Sequence, residues 1–263
     1  MIRKLKRTAD FELSLVIHND QFIAPPRQSQ RNWLLNKLLS EVADDLNSLH
    51  HAAARFIPGQ ETTAIHERTH TELADDAIME DWQIPVMEAM ARIVTETHGD
   101  VMEVGFGRGV SARFIQDCGV KSHTIVECND SVIERYGLWR AQHPERDIRL
   151  LAGRWQDVTE QMGQFDGIFF HTYPLNEAEY AETVLQSVTF AEHFFPTAAA
   201  HLRPGGVFTY LTNEIDSFSR AHQRLVFKYF RSLTLQVLSP LYIPPDSRDT
   251  IWADSMVLIK AVK

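Results

Sequence analysis

The sequence has few cysteines and no long apolar run, and each absence excludes a class of protein. Its 263 residues include two cysteines, Cys118 and Cys128, whose spacing indicates neither a disulfide framework nor a zinc site. We expect both to be buried, reduced thiols. No apolar run approaches the roughly 20 residues that span a bilayer, and the first residues lack the apolar segment of a secretory signal. A cytoplasmic protein with no membrane partner is predicted.

The charge balance argues against a nucleic-acid partner. Acidic residues outnumber basic ones, which gives a formal net charge of −9, and Lys and Arg are scattered instead of clustered on one face. The histidines, including His66, His70 and His193, show no metal-ligand spacing with cysteines or acids, so no metal is expected. Hydrophobic residues make up 44% of the chain, which is enough for a buried core.

The residue pattern changes along the chain and predicts two parts. Residues 1–75 are predicted to form an N-terminal helical extension or lid, because apolar residues between Gln30 and His50 recur at helical steps. Residues 76–263 alternate short β-rich runs with helical stretches, which is typical of an α/β fold with a doubly wound, mostly parallel sheet. A helix is expected near Ile84–Glu96, with Pro85 in its first turn. The predicted strands are VMEVGF, SHTIVEC, DIRLLAG, FDGIFFH, GVFTYLT, TLQVLSPLYI and SMVLIKAV.

The N-terminal helix has an apolar stripe that must be buried against another surface. Either the extension closes over the α/β part as a lid, or it packs on a second subunit in a homodimer. We favour the lid. The stripe consists of Trp33, Leu34, Leu38, Val42, Leu46 and Leu49.

The stretch VMEVGFGRGV, which begins at residue 101, marks the predicted ligand site. It leads from the first strand of the α/β part into a glycine-rich turn, where doubly wound sheets bind ligands. A dinucleotide-binding turn requires a glycine or alanine where this chain has Val110, so a pyrophosphate cradle is not indicated. The turn does offer an acid, Glu103, and two glycines, Gly105 and Gly107, at which a ligand can approach the backbone.

A second acid completes the pattern. Glu127 ends the next predicted strand, and its two carboxylate oxygens match the two hydroxyls of a ribose. With the turn it forms the pattern of class I methyltransferases, in which S-adenosylmethionine takes the place of a dinucleotide. The prediction is therefore a Rossmann-like class I methyltransferase fold with S-adenosylmethionine as cofactor. Trp155 either packs in the core or lies against the adenine.

Several longer stretches resemble guanidinoacetate N-methyltransferase and its arginine-methylating relatives, from about Thr69 to the C-terminus. In that family an N-terminal segment closes over the site. The resemblance depends on THTELADDAIMEDWQIPVMEAM, VMEVGFGRG, IVECND, GRWQDV, FDGIFFHTYPLNE, LRPGGVFTYL and IPPDSR.

The resemblance implies roles for individual residues. The family's acids at the positions of Glu103 and Glu127 hold the methionine and ribose portions of the cofactor, next to Gly105 and Gly107. The other implied cofactor contacts are Cys128, Asn129, Gly153, Arg154, Trp155 and His171, and the implied substrate contacts are Met79, Trp82, Gln83, Thr172 and Tyr173.

Two departures from the family concern its chemistry. The family has a glutamate at the position of Gln83 and an aspartate at that of His171, and these carboxylates grip the substrate guanidinium. Burying a guanidinium without a compensating carboxylate would cost several kcal/mol. Guanidinoacetate and arginine are therefore poor candidates, unless Glu80 or Asp81 compensates instead.

His171 and Tyr173 are the candidate catalytic residues. With a pKa near neutrality, His171 could accept a proton from the acceptor or hydrogen-bond it, and Tyr173 could present its ring face to the methyl group. We expect N- or O-methylation of a small molecule in specialised metabolism. Two alternatives stay open: transfer or cyclisation of the aminocarboxypropyl arm with release of methylthioadenosine, and a non-catalytic cofactor-binding module.

Overall fold

Seven strands form one sheet in the computed structural model. The residues that it describes are 67–185, 187–212, 214, 218–238, 243–244, 247 and 256–263. The strands are β1 (Asp100–Val104), β2 (Ser122–Glu127), β3 (Ile148–Ala152), β4 (Phe165–Phe170), β5 (Leu202–Thr212), β6 (Ser232–Leu238) and β7 (Met256–Val262). All seven predicted strands are present, and β5 begins four residues earlier than the predicted run, at Leu202.

The sheet order is β3-β2-β1-β4-β5-β7-β6. Neighbours among β1 to β5 are parallel, while β7 is antiparallel to both β5 and β6. The predicted doubly wound, mostly parallel sheet is therefore confirmed, and its strand order is that of the Rossmann-like class I methyltransferase fold.

Helices cover both faces of this sheet. In the described part they are α1 (Asp75–Ile78), α2 (Ile84–Val94), α3 (Val110–Asp117), α4 (Asp130–Ala141), α5 (Glu177–Tyr180), α6 (Phe195–His201) and α7 (Arg220–Tyr229). Single turns of 3₁₀-helix span Asp81–Gln83, Thr159–Gln161 and Phe190–Phe194, and a π-helical turn spans Ala181–Leu185. No helix in these ranges is long and apolar enough to cross a membrane.

The core lies on both faces of the sheet because its central strands are apolar throughout. Every residue of β1 is buried, as expected for a parallel strand covered on both sides. On one face α2 buries Met87 and Met90, and its Pro85 lies in the first turn, as predicted. On the other face Phe208 packs between the rings of Phe194 and Phe230.

The strand order places a crevice at the carboxyl end of β1. From β1 the chain builds β2 and β3 on one side and then crosses to β4 on the other, and ligands bind where the order reverses in this way. The loops after β1, β2 and β4 therefore meet at one edge. The predicted extension over residues 1–75, with its helix at Gln30–His50, lies almost entirely outside the described residues, so this boundary stays a prediction.

Candidate functional site

The glycine turn after β1 lies directly against the end of β4. Gly105 has a φ of +95°, which L side chains rarely adopt, and its N–H donates to Val126 O at 2.9 Å. A Cβ added at Gly105 would lie 2.5 Å from the carbonyl oxygen of His171. The glycine therefore lets the β1 turn and the β4 loop approach each other, and the cleft opens between them.

We expect Gly105→Ala to destabilise the fold by about 2 to 5 kcal/mol, because a strained φ and a forced displacement of His171 add together. Gly119→Ala is the matched control, since Gly119 has a φ of +74° but no atom within 4 Å of an added Cβ. Urea unfolding of both variants measures the difference. An equal loss in the two would mean that the contact with His171 costs nothing.

Glu127, at the end of β2, is held by four backbone N–H groups. Its Oε1 accepts from Cys128 at 2.7 Å and Asn129 at 2.9 Å, and its Oε2 accepts from Phe106 at 2.9 Å and Gly107 at 3.4 Å. The carboxylate thus ties the β2 loop to the glycine turn. The Gly107 N–H is the most distant of the four, so a ligand hydroxyl could replace it at the smallest cost.

An open cleft lies over this turn. The cofactor contacts predicted along its wall are Gly105, Gly107, Glu127, Cys128, Asn129, Gly153, Arg154, Trp155 and His171. The structure brings these side chains and glycines together, although they come from the ends of four different strands.

Trp155 contributes to both the cleft and the core. Its ring packs against Phe194, with centroids 5.0 Å apart, and against His193 at 5.7 Å, and the residue also lines the cleft. The two alternatives for Trp155 are therefore compatible, since one part of the ring packs inward while the residue faces the cleft.

Cys128 is a neutral thiol in the cleft wall. Burial, assisted by the nearby Glu127 and Glu179 carboxylates, raises its pKa to about 12, so it is not a nucleophile at neutral pH. Both Cys128 and Cys118 are free and partly exposed. The expectation that both are buried is wrong, because each lies at the end of an element and not in its middle.

Two predicted site residues do not line the cleft. Glu103 is fully buried behind it, where its carboxylate accepts from Ser111 Oγ and lies 3.0 Å from His123 Nε2. Trp82 is also buried, and its Nε1 donates to Glu80 Oε2 at 2.7 Å. Ser111 does line the cleft, so Glu103 is placed to support the wall through Ser111. Direct contacts of Glu103 with the cofactor and of Trp82 with the substrate stay predictions.

The four other predicted substrate residues also line the cleft, and together with the predicted catalytic residue His171 we call them the acceptor end: Met79, Gln83, His171, Thr172 and Tyr173. The Gln83 side chain is buried, and its Oε1 accepts from the Glu80 N–H at 3.0 Å. Gln83 thereby belongs to a capping box with Glu80, which fixes the position of its amide.

The pKa of His171 is not near neutrality. Burial lowers it to about 4, because desolvation disfavours the charged imidazolium. The expectation of a histidine that titrates near pH 7 is therefore corrected, since the ring is desolvated at its place in the cleft wall. At pH 7 the acceptor end holds a neutral amide at Gln83 and a neutral imidazole at His171.

The two acids that might have replaced the family's carboxylates are engaged elsewhere. Glu80 Oε2 accepts from Trp82 Nε1 and, at 2.6 Å, from Ser247 Oγ. Asp81 pairs with Arg108 at 2.8 Å. Neither of these acids lines the cleft.

Sequence reasoning missed several residues of the cleft wall. The predictions left out Arg68, Met87, Arg108, Ser111, Leu175 and Glu179, all of which line it. Glu179 Oε2 accepts from the Leu175 N–H at 2.7 Å. Of these, Ser111 and Arg108 lie next to the glycine motif and could have been found from it. Arg68 carries no such signal, because long-range bonds to Asn129 and Leu175 hold it at the cleft.

Comparison with protein families finds a match over most of the described chain. The family model described as guanidinoacetate N-methyltransferase matches residues 56–232, more than half of the sequence.

Two curated relatives are named protein arginine N-methyltransferase 2. The one from Kluyveromyces lactis is 27% identical over 165 residues, covering 56% of this chain and 38% of that protein. The one from Cryptococcus neoformans is 32% identical over 127 residues, covering 37% and 34%. The chain thus spans well under half the length of these relatives.

Solved structures with similar folds include spermidine synthase from Thermotoga maritima and the N-methyltransferase NodS from Bradyrhizobium japonicum. The first has a TM-score of 0.48 and 18% identity, covering 69% of this chain and 60% of that one. The second has a TM-score of 0.47 and 12% identity, covering 70% and 99%.

Proposed function

This chain belongs to the guanidinoacetate N-methyltransferase family, and we propose that it transfers a methyl group from S-adenosylmethionine to a nitrogen or oxygen of a small molecule that is not a free guanidine. The observation that carries the substrate proposal is the neutral acceptor end. Gln83 and His171 stand where the family has a carboxylate pair, and His171 is uncharged at pH 7.

The cleft fits S-adenosylmethionine. Gly105 and Gly107 leave the backbone open to the ligand, Glu127 offers a carboxylate to the ribose hydroxyls, and Trp155 lies in the same wall, where an adenine ring can stack. When bound, the cofactor supplies a methyl group that its sulfonium already activates. The chain therefore has to align the acceptor with the methyl carbon and exclude water.

The acceptor end suits a neutral nucleophile better than a cation. A guanidinium remains charged at every physiological pH, and its burial beside a neutral amide and imidazole would leave the charge uncompensated. The acids at positions 80 and 81 are paired with other groups. The described cleft wall carries two carboxylates, those of Glu127 and Glu179, and Glu179 already accepts from the Leu175 N–H.

A neutral His171 acts as a hydrogen-bond partner for the acceptor. With a pKa of about 4, its ring nitrogen is a weak base that can accept a hydrogen bond and orient a hydroxyl, amine or ring nitrogen. Tyr173 lies two residues further on, 40% exposed at the rim of the cleft. Their placement supports a role in positioning the acceptor.

The names of the curated relatives raise the question of a protein substrate. Those proteins are called protein arginine N-methyltransferases, but this chain aligns with a minor part of each. An arginine side chain presents the same guanidinium as guanidinoacetate and meets the same lack of a carboxylate pair. The acceptor end therefore favours a different small acceptor.

Product analysis tests the function. The protein is incubated with S-adenosylmethionine, labelled separately in the methyl group and in the aminocarboxypropyl arm, and with a panel of amines, phenols and heterocycles. We expect labelled methyl in a product and release of S-adenosylhomocysteine. Release of methylthioadenosine would show that the arm reacts, and binding of the cofactor without either nucleoside would show a non-catalytic module.

The protonation of His171 can be measured without knowing the acceptor. We expect its imidazole to titrate near pH 4 in an NMR titration of the histidine ring protons. Since the unfolded chain binds this proton with a pKa near 6.5, the folded state should lose stability, relative to a His171→Gln variant, as the pH falls from about 6.5 to 4.

His70 is the internal control for this titration. It is exposed, and its hydrogen bond to Asp130 raises its pKa, so it should titrate above the ordinary value and be assigned by its loss in His70→Gln. If His171 titrated at pH 6 to 7 instead, the proposal that the acceptor end is neutral would be contradicted. His171 would then again be a candidate general base at neutral pH.

A further inference from the structure

Arg68 is fixed across the cleft by its backbone. Its N–H donates to Leu175 O, in the loop after β4, at 3.0 Å, and its carbonyl oxygen accepts from Asn129 Nδ2, in the loop after β2. Because β1 lies between β2 and β4, this segment passes over the glycine turn. The Arg68 side chain is therefore held at the mouth of the cleft and lines it.

The guanidinium of Arg68 lies over an aromatic ring of the acceptor end. Its central carbon is 4.7 Å from the centroid of the Tyr173 ring, and its Nη2 donates to Ala77 O at 2.7 Å. Among the described residues, no carboxylate lies within 4.0 Å of it, and burial lowers its pKa. Stacking on the ring and one hydrogen bond orient the charged guanidinium, whose other N–H groups remain available as donors.

The other charges along the described cleft wall are differently placed. Arg108 pairs with Asp81, and Glu127 accepts from four backbone N–H groups at the position assigned to the ribose. Arg154 is exposed, next to Trp155, and Glu179 accepts from the Leu175 N–H. Among the charged groups of the described cleft wall, Arg68 is the partly buried cation that has no carboxylate within 4.0 Å, and a partly desolvated cation of this kind favours an oxyanion.

We propose that Arg68, stacked on Tyr173, is the oxyanion-binding residue of this cleft, and that the acceptor carries a carboxylate or a similar oxyanion beside its neutral nucleophile. This inference deepens the proposed methyl transfer and rests on it. The same guanidinium could instead bind the carboxylate of the cofactor's amino-acid end. Binding experiments distinguish an oxyanion of the acceptor from that of the cofactor.

The acceptor source is tested by binding, so that no substrate has to be known. Saturation-transfer NMR with full-length protein loaded with S-adenosylhomocysteine compares two matched pairs, 4-hydroxybenzoate with 4-hydroxybenzamide and 4-aminobenzoate with 4-aminobenzamide. We expect each acid to bind about 10-fold to 100-fold more tightly than its amide. Arg68→Met should abolish this preference, and Arg68→Lys should retain part of it.

The cofactor source is tested by calorimetry on the same variants. If Arg68 holds the cofactor, Arg68→Met should weaken S-adenosylhomocysteine by at least about 10-fold and leave 5′-methylthioadenosine, which lacks the amino-acid end, unchanged. If Arg68 holds the acceptor, both nucleosides should bind the variant as they bind the wild type.

Arg113→Met is the matched control, because Arg113 is an exposed arginine that also lies 4.7 Å from an aromatic centroid, that of Phe114, but does not line the cleft. Equal binding of acids and amides to the wild type, with S-adenosylhomocysteine unaffected in Arg68→Met, would overturn the proposal. So would an acid preference that survives Arg68→Met. Failure of the proposed methyl transfer would appear separately in the product analysis, as release of methylthioadenosine or of neither nucleoside.

Discussion

Glu127→Gln is expected to weaken binding of S-adenosylmethionine by about 10-fold to 100-fold, the equivalent of roughly 1.5 to 3 kcal/mol. The carboxylate accepts from four backbone N–H groups, two of them in the glycine turn. A glutamine has one acceptor oxygen, and its NH₂ group would face N–H donors of the loop. The substitution therefore removes the charged contact to the ribose and also loosens the turn beneath the cofactor.

Isothermal calorimetry with S-adenosylhomocysteine measures this loss, and Glu145→Gln, at an exposed position after α4, is the charge-matched control. Urea unfolding of Glu127→Gln separates the two contributions, since a loosened turn lowers stability without the ligand as well. If Glu127→Gln bound S-adenosylhomocysteine as tightly as the wild type, Glu127 would not be the residue that contacts the ribose. Tight binding of NADH in its place would contradict the cofactor assignment.

Joining Gln83→Glu with His171→Asp is expected to raise methylation of guanidinoacetate at least about 10²-fold above the wild type. Two carboxylates at the acceptor end would compensate a buried guanidinium, and a contribution of about 3 kcal/mol corresponds to a factor of this size. A glutamate at position 83 can still accept from the Glu80 N–H, as the Gln83 Oε1 does now. The capping box should therefore survive the change.

The control for this swap is Gln83→Met with His171→Asn, which alters the same positions without adding charge. Initial rates with labelled S-adenosylmethionine and either guanidinoacetate or arginine are compared among wild type, swap and control. Robust methylation of either guanidine by the wild type would contradict the proposed acceptor class. Glu179→Gln would then show whether the carboxylate at that position holds the cation.

The cofactor pattern could be read from the sequence because it is local. The approach of a ligand at Gly105 and Gly107, and an acid at the strand end such as Glu127, depend on short-range backbone geometry and on the alternation of strands and helices. The substitutions Gln83 and His171 were likewise visible, since they stand within stretches that otherwise resemble the family. Their consequences for charge could be argued from side-chain chemistry alone.

Position in a sequence motif did not reveal the surroundings of a side chain in the fold, and those surroundings changed the interpretation of three residues. Glu103 belongs to the glycine motif, yet its carboxylate lies behind the cleft against His123, a residue 20 positions away. His171 directly follows β4 as expected, yet its pKa depends on how far its ring is desolvated. Glu80 was a candidate for the guanidinium, but Ser247, from the far end of the chain, occupies it.

The amino-acid sequence by itself determined the sheet, the glycine turn and the cofactor, because each depends on residue type and short spacing. Its resemblance to the family indicated the loss of the guanidine-binding carboxylates. Tertiary structure alone decided which charges face the acceptor. Arg68 reaches the cleft through bonds to Asn129 and Leu175, 61 and 107 positions further along the chain. Such contacts depend on the order of the strands in the sheet, which brings together residues that are far apart in the sequence and share no local pattern.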